Sequence, residues 1–417
     1  MTDLQHVSPD AVGVSAARLR RVDTAMQRYI DEGKLAGLVT MLVRRGKIFH
    51  AGCYGMADRE RQRPMQTNTI FRMASVSKAI TTAAVLTLYE EGHFVLDQDI
   101  ANFLPAFAAT KVYAGMEGDQ PKLIDKQRPI TVRQCLLHTA GFASGIGFGR
   151  NETLPEIEMK NLFASISPEH PMNLAAVVDT MARIPLADQP NTKWVYGPCF
   201  EIAARLVEVI SGKSFNDFLR ERLFEPLGMA DSGFIVSQQQ LDRFCAFYGQ
   251  GDKPGEVKLL ETPEQSWNYI ASGKLPEGFF TSASGGMVST PDDVLRFSQM
   301  LLNRGQLNGV RVLAPRTVDL LAANHLPPPL MPYAFGAGEP YWGYGHGLGV
   351  HVLMDHGQAG IPDANGSYWK DGGTGTLFWV DPQHELTGVV LYQHNPFHIY
   401  PIWTQMRALA YQALEDA

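Results

Sequence analysis

Strand-like segments stand near both ends of this chain, with a mostly helical stretch between them, and that arrangement limits the folds open to it. Residues 37–44 (GLVTMLVR) and 47–54 (KIFHAGCY) are apolar runs joined at Arg45-Gly46, a tight hairpin turn. Residues 375–381 (GTLFWVD) and 386–393 (LTGVVLYQ) repeat the pattern around Pro382-Gln383-His384. Leu19, Val22, Met26, Tyr29 and Ile30 recur at helical spacing over 15–33, ahead of the first pair. A final helix, at about 400–414, follows the second pair. Two hairpins, each flanked by a helix, predict one antiparallel sheet built from both termini. The expected class is α+β. Residues 1–95 and 235–417 would form the sheet domain, and 96–234 a mostly helical insertion.

Helical periodicity runs through 131–138, 173–183, 200–211 and 215–224. A further helix over 291–304 starts at Thr290 as N-cap, with Pro291 in its first turn and two acids behind it. Residues 104–130, 142–172, 253–280 and 324–345 are rich in Pro, Gly and polar residues and read as long loops of the kind that shape pockets. The 417 residues carry 36 basic and 43 acidic side chains, a net −7, which opposes a nucleic-acid or anionic-membrane surface as main partner. Four scattered cysteines, Cys53, Cys135, Cys199 and Cys245, fit neither a zinc site nor a disulfide framework and read as free thiols. Met1 to Asp10 is polar, and no run approaches the ~20 apolar residues of a membrane span, so a cytoplasmic, soluble protein is expected.

Three segments could carry chemistry. Ser75-Val76-Ser77-Lys78 opens an apolar helical run, 79–91. A serine and a lysine three apart on a helix share one face. The lysine can take the serine's proton once burial or nearby positive charge lowers its pKa. The bland reading is an N-cap serine and a surface lysine, and the pattern alone does not separate the two. Ser367-Tyr368-Trp369-Lys370 also fits, but it runs from the turn Asn365-Gly366 toward a strand, where side chains three apart face opposite ways. Tyr196, just ahead of the helix at 200–211, is a candidate base if a nearby ammonium lowers its phenol. Taken alone, a packed tyrosine is the simpler account. Lys370-Asp371-Gly372-Gly373-Thr374-Gly375-Thr376 is a glycine-rich edge that could donate N–H groups to an oxyanion, or be a plain turn. His346, His351 and His356 are spaced by five, which suits no shared metal site; a strand and its loop are expected there. Tyr333, Phe335, Tyr341, Trp342 and Tyr344 could wall a pocket or belong to the core.

Taken in order, Ser75-Val-Ser-Lys78, Leu136-Leu-His-Thr-Ala-Gly141, Tyr196 with the run 200–229, Gly285-Gly-Met-Val-Ser-Thr-Pro291 and GGTGTLFWVDP (372–382) resemble the serine β-lactamase and penicillin-binding-protein superfamily. Within it the chain looks most like the family VIII carboxylesterases, which have the class C β-lactamase fold. The resemblance spans about residues 15 to 414. It implies Ser75 as the acylated nucleophile and Lys78 with Tyr196 as the pair that removes its proton and later activates water. It also implies oxyanion donors at the N–H of Ser75 and of Gly373, beside a triad Lys370-Asp371-Gly372. Trp369 and Gly372 would then flank the substrate. No metal or organic cofactor is implied. The partner is a small-molecule ester, and a homo-oligomer stays open.

Three departures qualify the resemblance. β-Lactamases usually carry Tyr-x-Asn, and here Pro198 holds the third position. Esterases of the family usually carry Trp-Gly-Gly at the triad, whereas Lys370 here follows the lactamase pattern with Trp369 beside it; Lys370 could then bind a substrate carboxylate, as in acidic esters or cephalosporins. No strict GxSxG is present, the nearest being Gly13-Val-Ser15-Ala-Ala17, so an α/β-hydrolase lacks its nucleophile elbow. The expected activity is hydrolysis of short-chain carboxylic esters. A β-lactamase, a D-amino-acid peptidase or an acyltransferase would use the same acyl-enzyme, and a non-catalytic binding relative would have lost it.

Overall fold

The computed structural model describes residues 4–146, 152–167, 170–253 and 255–416. Its centre is an eight-stranded antiparallel sheet. In chain order the strands are β1 (Gly37–Arg44), β2 (Lys47–Asp58), β3 (Arg63–Pro64), β4 (Tyr344–His346), β5 (His351–Leu353), β6 (Tyr368–Gly372), β7 (Thr376–Asp381) and β8 (Leu386–Tyr392). They lie in the order β4-β5-β6-β7-β8-β1-β2-β3. The two terminal hairpins therefore meet where β1 pairs β8, with Leu38 opposite Tyr392 and Arg44 opposite Leu386. Arg45 (φ 52°) and Gly46 (φ 71°) are both left-handed, as a two-residue hairpin turn of this hand needs.

Every residue of β1 is buried, so the sheet is covered on both faces. Period-two alternation sorts its side chains. Leu38 and Leu42 pack with Trp379, Val390 and Met406 beneath the terminal helices α1 (Ala16–Asp31) and α6 (Ile402–Tyr411). Val39, Met41 and Val43 point the other way, with Phe378 and Val389, against α2 (Ser77–Glu90) and α5 (Pro291–Leu302). Helix α2 is buried on all sides from Ser77 to Leu88 and forms the seam between the sheet and the helical part. That part holds α3 (Val132–Leu137), with a Thr131/Gln134 capping box, α4 (Cys199–Ser211), and the helices Leu154–Ser165, Leu174–Met181 and Phe215–Leu219.

All four expected loops contain regular structure, 324–345 holding a 3₁₀ turn, Pro328–Leu330, and the start of β4. Residues 104–130 hold the hairpin Val112–Glu117/Gln120–Ile124, 142–172 hold the helix Leu154–Ser165, and 253–280 hold a strand, Val257–Glu261, paired with Phe247–Gln250. The Pro, Gly and polar content of 142–172 reads as loop, yet Pro155 sits in the first turn of its helix, where proline is at home. Residues 147–151, 168, 169 and 254 of these expected loops lie outside the described residues, as do Met1, Thr2 and Asp3.

Candidate active site

Ser75 stands on a single 3₁₀ turn, Ala74–Val76, that feeds directly into α2. Ala74 is left-handed at φ 45°, an unfavourable conformation for a residue with a Cβ, and the surroundings hold it there. The Met73 N–H donates to Met287 O at 2.8 Å, and Thr376 Oγ1 donates to Met73 O at 2.8 Å. Thr374 Oγ1 donates to Arg72 O at 2.8 Å. The glycine-rich edge is thus stitched to the backbone just ahead of Ser75. Gly372 permits that approach, because a Cβ there would lie 2.4 Å from Met73 O and 2.3 Å from Thr376 Oγ1. Gly373 follows in the exposed turn between β6 and β7.

Lys78, one turn along α2, donates from Nζ to Ser75 Oγ at 3.2 Å and to Ser284 O at 2.6 Å. Tyr196, 121 residues away in sequence, donates from Oη to the same Ser75 Oγ at 2.6 Å. The structure therefore brings Ser75, Lys78 and Tyr196 together at one atom. Lys78 is 2 % exposed, and burial first, then the charge of Lys370, pushes its ammonium down to about 7. Glu201 and Asp371 pull the other way. The expectation of a lowered phenol does not hold: burial pushes Tyr196 above its ordinary value despite its bond to Ser75. Burial thus moves the two groups apart, the Lys78 ammonium downward and the Tyr196 phenol upward.

Lys370 and Trp369 depart from expectation. Lys370 is 1 % exposed, with Nζ 3.2 Å from His351 Nε2, 3.4 Å from Asp371 Oδ1 and 5.4 Å from the centre of the Tyr196 ring. It is an internal charge behind Tyr196, already paired, and is not presented to a substrate carboxylate. Burial lowers His351 to about 4, so its ring is neutral. Its Nδ1 lies 2.6 Å from Tyr333 Oη, and its Nε2 sits between Lys370 Nζ at 3.2 Å and Asp371 Oδ1 at 3.4 Å. Trp369 faces the opposite side of β6, packed among the terminal helices with the Arg407 guanidinium 4.7 Å from its ring centre. Strand alternation puts neighbours on opposite faces, so only one of this pair can look toward Ser75. Ser367 is fully buried at the start of β6, away from any nucleophilic role.

His346 and His351 pair across the β4–β5 hairpin, and His356 lies beyond it at a short helix. Among the described residues no group of three or more His, Cys, Asp or Glu is placed to hold a metal ion. Tyr333, Phe335, Tyr341 and Tyr344 gather with Trp194 around Tyr196, and the Phe335 ring centre is 4.8 Å from that of Tyr196. Trp342 is exposed instead. Phe163, Ile166, Trp267 and Phe280, with Ser282, Gly285 and Gly286, line a separate apolar pocket of about 270 Å³. Gly285 of this pocket lies beside the turn that carries Ser75, where a Cβ on it would meet the Ala74 backbone at 3.7 Å.

Sequence reasoning missed Glu201. It is 1 % exposed in the first turn of α4, and it accepts from Ser282 Oγ at 2.7 Å, Ala283 N at 2.8 Å and Ser284 N at 3.1 Å. The available signal was an acid set in the otherwise apolar start of FEIAARLV.

A β-lactamase-like fold with a serine, a buried lysine and a tyrosine meeting at one oxygen defines the class. The family profile described as Beta-lactamase matches residues 22–410, and the chain belongs to that family. Esterase EstB of Burkholderia gladioli is 29 % identical over 389 residues, covering 90 % of each chain. Lovastatin esterase of Penicillium rubens is 29 % identical over 402 residues, covering 88 % of this chain and 91 % of its own. Among solved structures, EstCE1, described as a hydrolase with promiscuous acyltransferase activity, superposes with a TM-score of 0.78 at 26 % identity, covering 95 % of this chain and 99 % of that one. No helix among the described residues is long and apolar enough to cross a membrane.

Proposed function

We propose that this enzyme hydrolyses carboxylic esters through an acyl-enzyme on Ser75. The observation that carries the reading is the convergence on Ser75 Oγ of Lys78 Nζ at 3.2 Å and Tyr196 Oη at 2.6 Å. The neutral Lys78 amine takes the Ser75 proton, and Oγ forms a bond to the ester carbonyl carbon. The carbonyl oxygen becomes an oxyanion, received by the N–H groups of Ser75 and Gly373. Collapse breaks the bond to the alcohol, which leaves with the proton returned through Tyr196. Water then gives a proton to Lys78 as its oxygen bonds to the acyl carbon; collapse breaks the bond to Ser75 Oγ, Lys78 returns that proton to Oγ, and the acid is released. Ester and water become acid and alcohol, with no proton left over.

The apolar pocket beside Ala74 supports a neutral, apolar acyl group of modest length. The pairing of Lys370 with Asp371 and His351 speaks against acidic esters. Pro198 offers no amide at the third position of the tyrosine motif, which speaks against strong β-lactam hydrolysis. The four cysteines are free thiols, which supports a reducing, cytoplasmic setting. Initial rates on p-nitrophenyl butyrate and on nitrocefin, for wild type and Ser75→Ala, test the reading. Ester turnover abolished by Ser75→Ala, with little nitrocefin hydrolysis, is expected. Ester turnover surviving in Ser75→Ala would remove Ser75 as nucleophile, and dominant nitrocefin hydrolysis would make the enzyme a lactamase. Adding a long-chain alcohol and measuring new ester reports transfer by the same intermediate.

A further inference from the structure

Lys78 has a partner besides Ser75, and that partner is held in place by a buried acid that the steps above do not use. The Ser284 carbonyl accepts from Lys78 Nζ at 2.6 Å. It belongs to a turn, 282–284, that leaves two N–H groups and a hydroxyl pointing inward. Glu201 receives all three: Oε1 accepts from Ser282 Oγ at 2.7 Å and Ser284 N at 3.1 Å, and Oε2 accepts from Ala283 N at 2.8 Å. Burial pushes the Glu201 carboxyl above its ordinary value, and these three donors pull it back toward the ionised form. On its other side the turn is tied to α2, where Thr81 Oγ1 donates to Ala283 O at 3.1 Å. Helix α4 presents Glu201 from one side and α2 presents Lys78 from the other, so the turn bridges the two helices.

We propose that Glu201 is the positioning residue of the Ser75–Lys78 pair: its carboxylate clamps the 282–284 turn, and the Ser284 carbonyl of that turn holds the Lys78 side chain against Ser75 Oγ. The inference rests on the reading of Ser75 as nucleophile and adds to it a residue that touches neither substrate nor reacting atoms. The clamp also acts electrostatically. Charged and titratable groups surround Lys78 from three elements: Glu201 and Cys199 on α4, Lys370 and Asp371 on β6, and His138 at the end of α3. Tyr196, just ahead of α4, also faces it. Of these, Glu201 and Asp371 favour the ammonium and Lys370 opposes it. Removing the Glu201 charge lowers the pKa of Lys78.

The test is the pH dependence of kcat/KM on p-nitrophenyl butyrate for wild type, Glu201→Gln, Glu201→Asp and Ser282→Ala, with Ser75→Ala as control and circular dichroism to report folding. In Glu201→Gln an amide NH₂ must face one of the donors, so the plateau rate is expected to fall about tenfold or more. Its acidic limb is expected to move about one unit lower, because the base is freed at lower pH. Glu201→Asp keeps the charge, so its limb stays while its plateau falls. Ser282→Ala removes one of the three clamp bonds and is expected to lower the plateau several-fold with the limb in place. A folded Glu201→Gln whose limb stays at the wild-type pH overturns the proposal and leaves Glu201 a buried structural acid. If Glu201→Gln does not fold, Ser282→Ala decides, and a wild-type plateau there overturns it. Activity in Ser75→Ala would instead remove the nucleophile reading itself.

Discussion

The Lys78 ammonium lies 4.7 Å from the centre of the Tyr196 ring, and both side chains reach Ser75 Oγ, at 3.2 and 2.6 Å. One group is a buried amine lowered to about 7, and the other a phenol raised by the same burial. The roles proposed for them, Lys78 as base and Tyr196 as proton relay, follow that difference. Tyr196→Phe keeps the ring and removes the hydroxyl. We expect kcat on p-nitrophenyl butyrate to fall about 100-fold or more, with KM little changed, in steady-state assays.

The rate should follow the neutral fraction of Lys78. In the proposed mechanism the unprotonated amine is the base, so kcat/KM is expected to rise with pH through about 7. Lys370→Met deletes a positive neighbour and leaves Asp371, so the Lys78 ammonium is favoured and the acidic limb should move to higher pH. This is the opposite sign to Glu201→Gln. A pH–rate profile of Lys370→Met that shifts downward would contradict the assignment of Lys78 as base.

Gly372 tests the turn beneath Ser75. A Cβ there would sit 2.4 Å from the Met73 carbonyl oxygen, which is backbone and cannot swing away. Gly372→Ala should displace the Ala74–Ser75 turn and cost about 10- to 100-fold in kcat/KM, because small errors in reacting geometry are expensive. Ser75 labelling by a fluorophosphonate, followed over time, should slow in parallel.

Pocket shape should appear as chain-length preference. Ile166 lies on the wall of the apolar pocket, and Ile166→Trp would fill much of it. On a p-nitrophenyl ester series from acetate to octanoate, the long esters should lose about tenfold in kcat/KM and acetate should keep its rate. Equal losses along the series would place the acyl group elsewhere.

Stability far from the site rests partly on a buried pair. Arg407 Nε donates to Asp363 Oδ2 at 2.7 Å, and Asp363 is fully buried. Arg407→Ala strands that carboxylate and should cost about 3–5 kcal/mol in urea unfolding at neutral pH. Burial already raises Asp363. In the variant the folded state therefore takes up a proton at a pH where the unfolded chain stays ionised. The penalty should shrink as pH falls from 7 toward the ordinary carboxylate range, and grow as pH rises.

Short-range signals account for much of what could be read from the residues alone. The β1–β2 turn needs two left-handed residues and has Arg45-Gly46; Thr290 caps the helix that follows; Ser75 and Lys78 share a face because they are one turn apart. Each depends on backbone geometry within a few residues. The expected site residues divide at strand β6, where alternation puts Lys370 and Trp369 on opposite faces of the sheet. Which of the two faces looked toward Ser75 depended on how β6 packs, and no window of sequence contains that. The same holds for Tyr196 above its ordinary pKa, Lys78 below its own, and Glu201 clamped to a turn about eighty residues on. Burial and charge are properties of neighbours, and those neighbours come from α2, α4, β6 and the 282–284 turn, which meet only in the folded chain. Local conformation follows from local residues, while the chemistry of a side chain follows from the side chains that exclude its water.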